Sequence, residues 1–208
     1  MSLHKMNRRE ALKISGMGMA GLFLPRLQAR ALVTQATPEP GVVEVRLVSN
    51  YNGGQVFYDP VGVFIERGQK VRWVSAMTGG SVFAYHPEND NHELRIPENA
   101  RPFNSGEMPL VRGPHGRWDV FEWTFDVEGT YDYYSRHHEI LGMVGRVVVG
   151  RPGGPAEKPP GYGNREGHAI VYPAQVRVFE ACPASEIVAK KTIRFPRDLN
   201  VVKFPHNA

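Results

Sequence analysis

The sequence predicts an all-β fold, a sandwich or barrel of short antiparallel strands, and three observations support this prediction. Apolar and polar residues alternate over several short runs, glycine and proline are frequent at 22 and 17 of 208 residues, and no stretch before residue 150 has a convincing helical period. Short strands separated by turns are typical of sandwiches and barrels. The chain length fits one domain of ordinary size with extensions.

The strands are expected in succession between residues 41 and 150. Alternation predicts one strand in VVEVRLV, two in QVFYDPVGVFIERGQKVRWV and a pair in VFEWTFDVEGTYDYY that turns at Gly129. In the second run Val71 and Trp73 point to one face, and Lys70 and Arg72 point to the other. The run MVGRVVVG is expected to be the last strand.

Two further segments lack this regular pattern. Residues 86–119 contain five prolines and no clear strand, and loops of this length tend to be functional or bound to a partner. Residues 151–167 are expected to form an extended or polyproline linker. A strand in HAIVYPAQVRVFE and a short helical turn near 183–190 should follow. The tail, 151–208, is too short to form a hydrophobic core of its own and should lie on the first domain or on another protein.

Charge and cysteine content narrow the functional classes. The positive net charge of +4 comes from the two ends of the chain. Residues 32–150 carry a net charge of −5, residues 151–208 carry a net charge of +4, and the N-terminal residues supply the remaining positive charge. No large basic patch points to a nucleic acid partner. Cys182 is the one cysteine, so no intrachain disulfide is possible. The catalytic motifs G-x-S-x-G, H-E-x-x-H and the phosphate-binding loop are absent, so no enzymatic activity is expected.

The N-terminus has the organisation of a targeting segment. Arg8 and Arg9 precede an apolar run, ISGMGMAGLFL, and a possible A-x-A cleavage site at residues 29–31. This arrangement resembles a twin-arginine export signal, although Ala11 replaces the bulky apolar residue favoured there. The resemblance implies a periplasmic location. The run is shorter than a standard span of about 20 apolar residues, and residues 1–31 are either a cleaved signal or a retained membrane anchor.

Residues 42–150 resemble the cupredoxin family, in its plastocyanin, halocyanin and pseudoazurin branch. The more specific match is FEWTFDVEGTYDYYSRHHEILGMVGRVVV, with a Gly-Thr-Tyr-x-Tyr start, a Gly-Met-x-Gly end and a valine-rich final strand. The resemblance implies a cupredoxin-like Greek-key sandwich or barrel over 41–150. It also implies a type 1 copper site, in which two imidazoles, a thiolate and a weak axial thioether hold the ion.

The ligand positions implied by the resemblance are incompletely filled. Ser135 stands at the thiolate position, His138 at the second histidine and Met143 at the axial methionine. The first histidine position, immediately before Ser81, is Gly80. A serine hydroxyl is hard and stays protonated near neutral pH, so it should not hold Cu(I). We therefore expect no metal and no cofactor, with Gly80, Ser135, His138 and Met143 as vestigial copper positions.

Two alternatives to a copper-free fold remain open from the sequence. One is a non-blue metal site built from His92, His137 and His138, although adjacent side chains on a strand point to opposite faces. The other is an electron carrier with an unrecognised sulfur ligand, for which Cys182 has no ligand pattern nearby. His86, six residues beyond Gly80, is too distant along an extended strand to replace the missing ligand.

These observations favour a copper-free accessory subunit over a periplasmic copper-binding electron carrier or copper chaperone. Its expected partners are protein subunits of a membrane-bound electron-transfer complex, for example a photosynthetic or respiratory assembly. The expected location is the outer face of the bacterial cytoplasmic membrane, with contact to the membrane through the N-terminal segment if that segment is uncleaved. The long loop and the basic, proline-rich tail are the expected contact surfaces.

Overall fold

The computed structural model describes residues 41–50, 54–108, 119–163 and 169–199. The leader, residues 109–118 of the long loop and the last nine residues lie outside this described part. The described residues form a β-sandwich of ten strands: β1 Val42–Asn50, β2 Gln55–Asp59, β3 Gly62–Ile65, β4 Lys70–Ser75, β5 Gly80–Ala84, β6 Asn104–Met108, β7 Asp119–Thr124, β8 Gly129–Tyr134, β9 Val144–Val149 and β10 Thr192–Ile193. The predicted all-β fold is confirmed. No helix in the described residues has the length and apolar character needed to cross a membrane.

The strands form two sheets, with the orders β2-β1-β4-β7 and β10-β3-β9-β8-β5-β6. Antiparallel pairing was expected throughout, but β1 pairs with β4 and β3 pairs with β9 in parallel. The run predicted to hold two strands holds three, because the chain leaves the first sheet at Pro60 and continues in the second as β3. Proline has no N–H to donate to a ladder, which explains the break between β2 and β3.

The inner faces of the two sheets enclose an aromatic core. Val71 and Trp73 are fully buried, as the alternation in β4 predicts. The Trp73 ring lies edge-on to the Tyr133 ring of the opposite sheet, with their centroids 5.4 Å apart, and Phe103 approaches it at 5.6 Å. Large rings that meet in this way bury much apolar surface and fix the distance between the sheets.

The segment predicted as a long loop is packed over much of its described length. The amide of buried Asn89 donates to the carbonyls of Ala84 and Phe103, at 2.9 and 3.1 Å, and so closes residues 85–103 against β5. The expectation of no strand in residues 86–119 is wrong at Asn104–Met108, which pair with β5 as β6. The sequence of β6, NSGEM, has no apolar alternation, so the neighbouring strand decides its conformation.

The C-terminal region contains two helices, α1 Pro173–Ala181 and α2 Ala184–Lys190. The strand predicted in residues 168–180 is therefore wrong. The pattern VRVF alternates as a strand would, but the buried residues Ala174, Gln175, Val178 and Phe179 recur at helical spacing. Pro173 occupies the first turn of α1, where its missing N–H costs nothing. The helical turn expected near 183–190 is present as α2.

Both helices cover the outer face of the six-stranded sheet and form a second apolar core there. Val178, Phe179 and Ile187 are buried against Val144 and Val148 of β9. Gly62 of β3 allows the close approach of α2, because a Cβ at that position would lie 2.7 Å from Ile187 Cδ1. The tail region thus shares the core of the first domain, one of the two placements expected from its size.

A buried ion cluster joins the preceding segment to the same sheet face. Asp132 of β8 accepts hydrogen bonds from Arg95 Nε (2.8 Å) and Arg146 Nε (2.7 Å), and all three side chains are at most 7% exposed. Both guanidinium groups also donate to the Ala156 carbonyl, at 3.0 and 3.3 Å. Pro155–Glu157 form a 3₁₀ turn at this point, so the extended form expected for residues 151–167 is not found there.

Replacement of Asp132 by asparagine should lower the free energy of unfolding by about 3–5 kcal/mol, because it leaves the buried guanidinium of Arg146 without a counter-charge, while Arg95 keeps its ion pair with Glu93 at 3.0 Å. Urea denaturation of both proteins measures this difference. Glu122→Gln is the matched control, since Glu122 pairs with Lys70 and Arg72 at a partly exposed position and should contribute about 0–1 kcal/mol. Equal effects of the two substitutions would contradict the role assigned to Asp132.

Candidate metal centre

Three of the four vestigial copper positions lie on one closed loop between β8 and β9. The Ser135 N–H donates to the Met143 carbonyl at 3.0 Å, and the Met143 N–H donates to the His138 carbonyl at 3.1 Å. A third bond runs from the His138 N–H to the Ser135 carbonyl at 2.9 Å. Three backbone hydrogen bonds therefore connect the three candidate ligand positions of this loop.

The Ser135 hydroxyl is fully buried and is surrounded by protein hydrogen-bonding groups. Its Oγ lies 3.2 Å from His138 Nδ1 and 3.4 Å from Ser81 Oγ. Ser81 Oγ in turn accepts the Arg136 N–H at 2.9 Å, and the Tyr58 hydroxyl donates to the Ser81 carbonyl at 2.5 Å. The His138 ring nitrogen that faces Ser135 is thus within hydrogen-bonding distance of a side-chain hydroxyl.

A side chain at the fourth position, Gly80, would require the neighbouring Leu47 side chain to move. A Cβ placed on Gly80 would lie 2.6 Å from Leu47 Cδ2 and 3.3 Å from Ser75 Oγ. Leu47 is fully buried in the core, so its side chain fills the space in front of Gly80. The preceding residue, Gly79, has a φ of +69° and lies beside His138, since a Cβ there would be 3.8 Å from the His138 Cε1 atom.

The other histidines considered as ligands have separate partners. His92 Nε2 lies 2.8 Å from Glu139 Oε2, and His137 Nε2 lies 3.1 Å from Glu107 Oε1. His86 Nδ1 accepts the Glu88 N–H within its own turn. Across the described part of the chain, no group of three or more His, Cys, Asp or Glu residues is arranged to hold a metal ion. The structure therefore does not bring His92, His137 and His138 together as a ligand set.

Cys182 is also poorly suited to bind a metal. Its thiol is fully buried in the second core and donates to the Val178 carbonyl at 3.1 Å. Burial raises the pKa of the Cys182 thiol to about 12, with Arg146 opposing the shift and Asp132 adding to it. The thiolate that a metal would require is therefore strongly disfavoured at neutral pH.

Sequence reasoning missed the residues that shape this region from outside the loop. Glu139 Oε2 accepts Gln175 Nε2 of α1 at 2.9 Å while it also contacts buried His92, so it links the loop, the long insertion and the C-terminal helix. Leu47 is the second such residue. Neither carries a local signal, because both contacts join residues far apart in the sequence.

Comparison with known proteins identifies the family to which this β-sandwich belongs. Residues 45–150 match the sequence model of copper binding proteins of the plastocyanin/azurin family, which covers half of the chain. The chain belongs to the plastocyanin/azurin family. This membership confirms the resemblance noted for residues 42–150, and the sandwich is a cupredoxin-like fold.

Individual relatives are similar over the same half of the chain. Plastocyanin B'/B'' of Nicotiana tabacum is 29% identical over 107 residues, 51% of this chain and 99% of that protein. Plastocyanin of Lactuca sativa is 27% identical over 103 residues, 50% of this chain and 96% of its own. Among solved structures, pseudoazurin from Methylobacterium extorquens AM1 has a TM-score of 0.47 and 19% identity, covering 70% of this chain and 98% of that one.

The residues present do not fit the copper ion that the family implies. A type 1 site requires a thiolate and two imidazoles in one plane. Here the thiolate position is a hydroxyl within hydrogen-bonding distance of His138, and the position of the first imidazole is filled by Leu47. Met143 remains, but a buried thioether is a weak axial ligand and serves equally well as core packing.

Rebuilding the site should require three substitutions. Ser135→Cys with Gly80→His supplies the missing ligands, but the new imidazole meets Leu47, so strong binding should appear only when Leu47→Ala is added. The measurement is copper titration followed by the visible charge-transfer absorption of a copper–thiolate bond. The double variant is the matched control. Equal binding by the double and triple variants would contradict the steric role of Leu47, and no binding by either would contradict the assignment of the four positions.

The pH dependence of His138 provides a second test. Burial lowers the pKa of His138, the electrostatic effect of neighbouring His137 lowers it further, and Glu107 opposes the shift. The unfolded chain therefore binds this proton more readily. The contribution of His138 to stability should be complete above about pH 6.5 and should decline as the pH falls through that value toward the folded-state pKa. NMR titration of the His138 ring in folded and urea-unfolded protein measures both values. A folded midpoint at or above the unfolded one would contradict the burial of this ring.

Proposed function

We propose that the protein is a copper-free cupredoxin-like accessory subunit that acts through protein–protein contacts in a membrane electron-transfer complex. Family membership indicates an electron-transfer-type protein. The finer proposal is that this chain keeps the fold of its family and contributes contacts in place of a redox metal. No enzymatic activity is part of the proposal, in keeping with the absence of the catalytic motifs searched for in the sequence.

The observation that carries the proposal is the state of the former ligand positions. Buried Ser135 faces His138 Nδ1 at 3.2 Å, and Leu47 fills the space at Gly80. The loss affects two places that are distant in sequence, strand β5 at Gly80 and the loop after β8 at Ser135, and the neighbouring residues pack against each replacement. Replaced ligands that are packed by their neighbours are expected when the loop is kept for its structural role and no longer for copper binding.

The surface beside this loop supports a contact role. Ile140, in the loop, is 54% exposed, and Ile170, which precedes α1, is 71% exposed. The hydrogen bond between Glu139 and Gln175 ties their two segments together. Exposed aliphatic side chains are unremarkable singly, but two on linked segments at the end of a sandwich favour burial by a partner.

The proposed setting is the periplasmic side of a bacterial membrane, such as that of a photosynthetic or respiratory complex. The support is the twin-arginine-like segment around Arg8 and Arg9, followed by an apolar run that serves either as a cleaved signal or as an anchor. The contact surfaces proposed from the sequence are revised, because residues 86–103 pack on the sandwich and only part of the tail remains as a candidate.

The second candidate function is a periplasmic copper-binding electron-transfer protein or copper chaperone. The observations that favour it are family membership and the retention of His138 and Met143 on a loop of unchanged spacing. Imidazole and thioether groups are both ligands that bind copper. The fully buried side chain of Met143 argues against open exchange of an ion with a partner protein.

Gentle native purification from the source membrane should recover the chain together with other subunits and with far less than one copper per chain. Elemental analysis and identification of the co-purified proteins are the measurements. Ile140→Glu with Ile170→Glu should reduce this recovery by about tenfold or more, the equivalent of 1.4 kcal/mol of binding free energy. Val120→Glu, at a position that is 45% exposed on β7, is the matched control. Stoichiometric copper, or isolation as a lone monomer, would overturn the proposal.

A further inference from the structure

Strand β2 has an open edge. It lies at the end of the four-stranded sheet and pairs there with β1 alone. Among the described residues, no backbone group pairs with the outer edge of β2 between Val56 and Tyr58. An unpaired strand edge presents a row of N–H and C=O groups to any extended chain that approaches it.

A groove of about 730 Å³ lies beside this edge, over the face of the β1–β2 pair that carries the side chains of Gln55, Phe57 and Asp59. Its second wall is the segment of residues 194–199, which is connected to the two ends of β2. The Phe195 N–H donates to Asp59 Oδ1 at 3.3 Å, and Gln55 Nε2 donates to the Leu199 carbonyl at 3.4 Å. Both links use side chains of β2, so the backbone between them is left without a partner from this wall.

The groove combines an apolar floor with basic groups on its rim. The rings of Phe57 and Phe195 stack with centroids 4.4 Å apart. Arg194 is paired with Asp59 at 2.9 Å, so the one carboxylate of the groove is already neutralised. Arg197 is exposed and has no ion-pair partner among the described residues. Residues 190–199 as a whole carry four basic side chains and one acidic side chain.

We infer that this groove binds an extended acidic segment of a partner protein, which adds to β2 as a further strand. Backbone hydrogen bonds to β2 supply affinity, and side chains at alternate positions select the segment. A carboxylate of the segment lies toward Arg197, which has no ion-pair partner among the described residues, and apolar side chains lie on Phe57 and Phe195. The inference rests on the proposed contact role, for which it names a surface and a partner chemistry.

Two other occupants fit less well. Residues 200–208 of the same chain follow Leu199 directly, but their sequence, NVVKFPHNA, contains Lys203 and neither Asp nor Glu. Their charge therefore has the same sign as that of the groove, and the two repel. A second copy of the chain has an acidic body, with a net charge of −5 over residues 32–150. That charge is spread over a folded domain, whereas an open strand edge pairs with an extended segment.

The probe for the test is a fluorescein-labelled peptide, acetyl-Gly-Glu-Val-Glu-Val-Glu-Gly-amide, titrated by fluorescence anisotropy against the full chain at low salt. Binding should be saturable, and the same peptide with lysine in place of glutamate should bind at least tenfold more weakly. Arg197→Glu should also weaken binding of the acidic peptide by at least tenfold, about 1.4 kcal/mol. Thermal unfolding of this variant should match that of the wild type, because Arg197 is exposed.

The matched control is Arg67→Glu, which makes the same charge change at an exposed position before β4. The start of β4 pairs with Val42, at the opposite end of β1 from the groove. This variant should bind the acidic peptide as the wild type does. Hydrogen exchange at the amides of β2 should slow when the peptide is bound. Alternate backbone nitrogens of the peptide can be methylated in two ways, and methylation of the set that faces β2 should abolish binding.

Equal binding of the acidic and basic peptides, undiminished binding by Arg197→Glu, or unchanged exchange in β2 would overturn the inference. Sedimentation that shows a dimer abolished by Arg197→Glu would assign the groove to a second copy and would also overturn it. A failure of this inference can be distinguished from a failure of the proposed function. Copper in the natively purified protein would overturn the copper-free role without affecting peptide binding, and failed peptide binding in a copper-free protein would remove this groove alone.

Discussion

The position of the C-terminal third of the described structure depends on the buried carboxylate of Asp132. It pairs with both Arg95 and Arg146, and Glu93 supplies a second negative charge beside Arg95. The two arginines then donate to carbonyls of residues 156, 158 and 182. Burial by itself lowers the pKa of Arg146, but the proximity of Asp132 outweighs this and raises it, so the guanidinium remains charged. Without Asp132, Arg95 would still pair with Glu93, but the segment and the helices that follow would cover the uncompensated charge of Arg146, which is costly in a low-dielectric interior.

The same sheet explains how the former copper loop is retained. Tyr133 of β8 points into the sandwich core, Asp132 and Tyr134 point to the helical side, and Ser135 begins the loop directly after them. Because both faces of β8 are buried, the position of Ser135 is set by packing on two sides. The backbone bonds between Ser135, His138 and Met143 connect the two ends of the loop.

The sequence allowed most strands to be predicted, because alternation over β1, β4, β7 and β8 is a local signal with a physical cause. It allowed the vestigial positions to be named only through family resemblance, since no local pattern marks Gly80. The prediction failed for β6 and α1. The former has no alternation of its own and follows its neighbour, and the latter contains a VRVF run that alternates locally although its buried face is helical.

By itself the sequence determined the all-β class, the dominant strands, the acidic body with basic ends and the absence of a thiolate at position 135. These are properties of composition and short-range period, and they need no knowledge of distant contacts. Only the tertiary structure decided that Leu47 occupies the space before Gly80, that Asp132 pairs with two arginines, and that the tail packs as helices. Each of these depends on residues tens of positions apart in the chain, and their meeting is fixed by the order of strands in the sheets and not by local sequence.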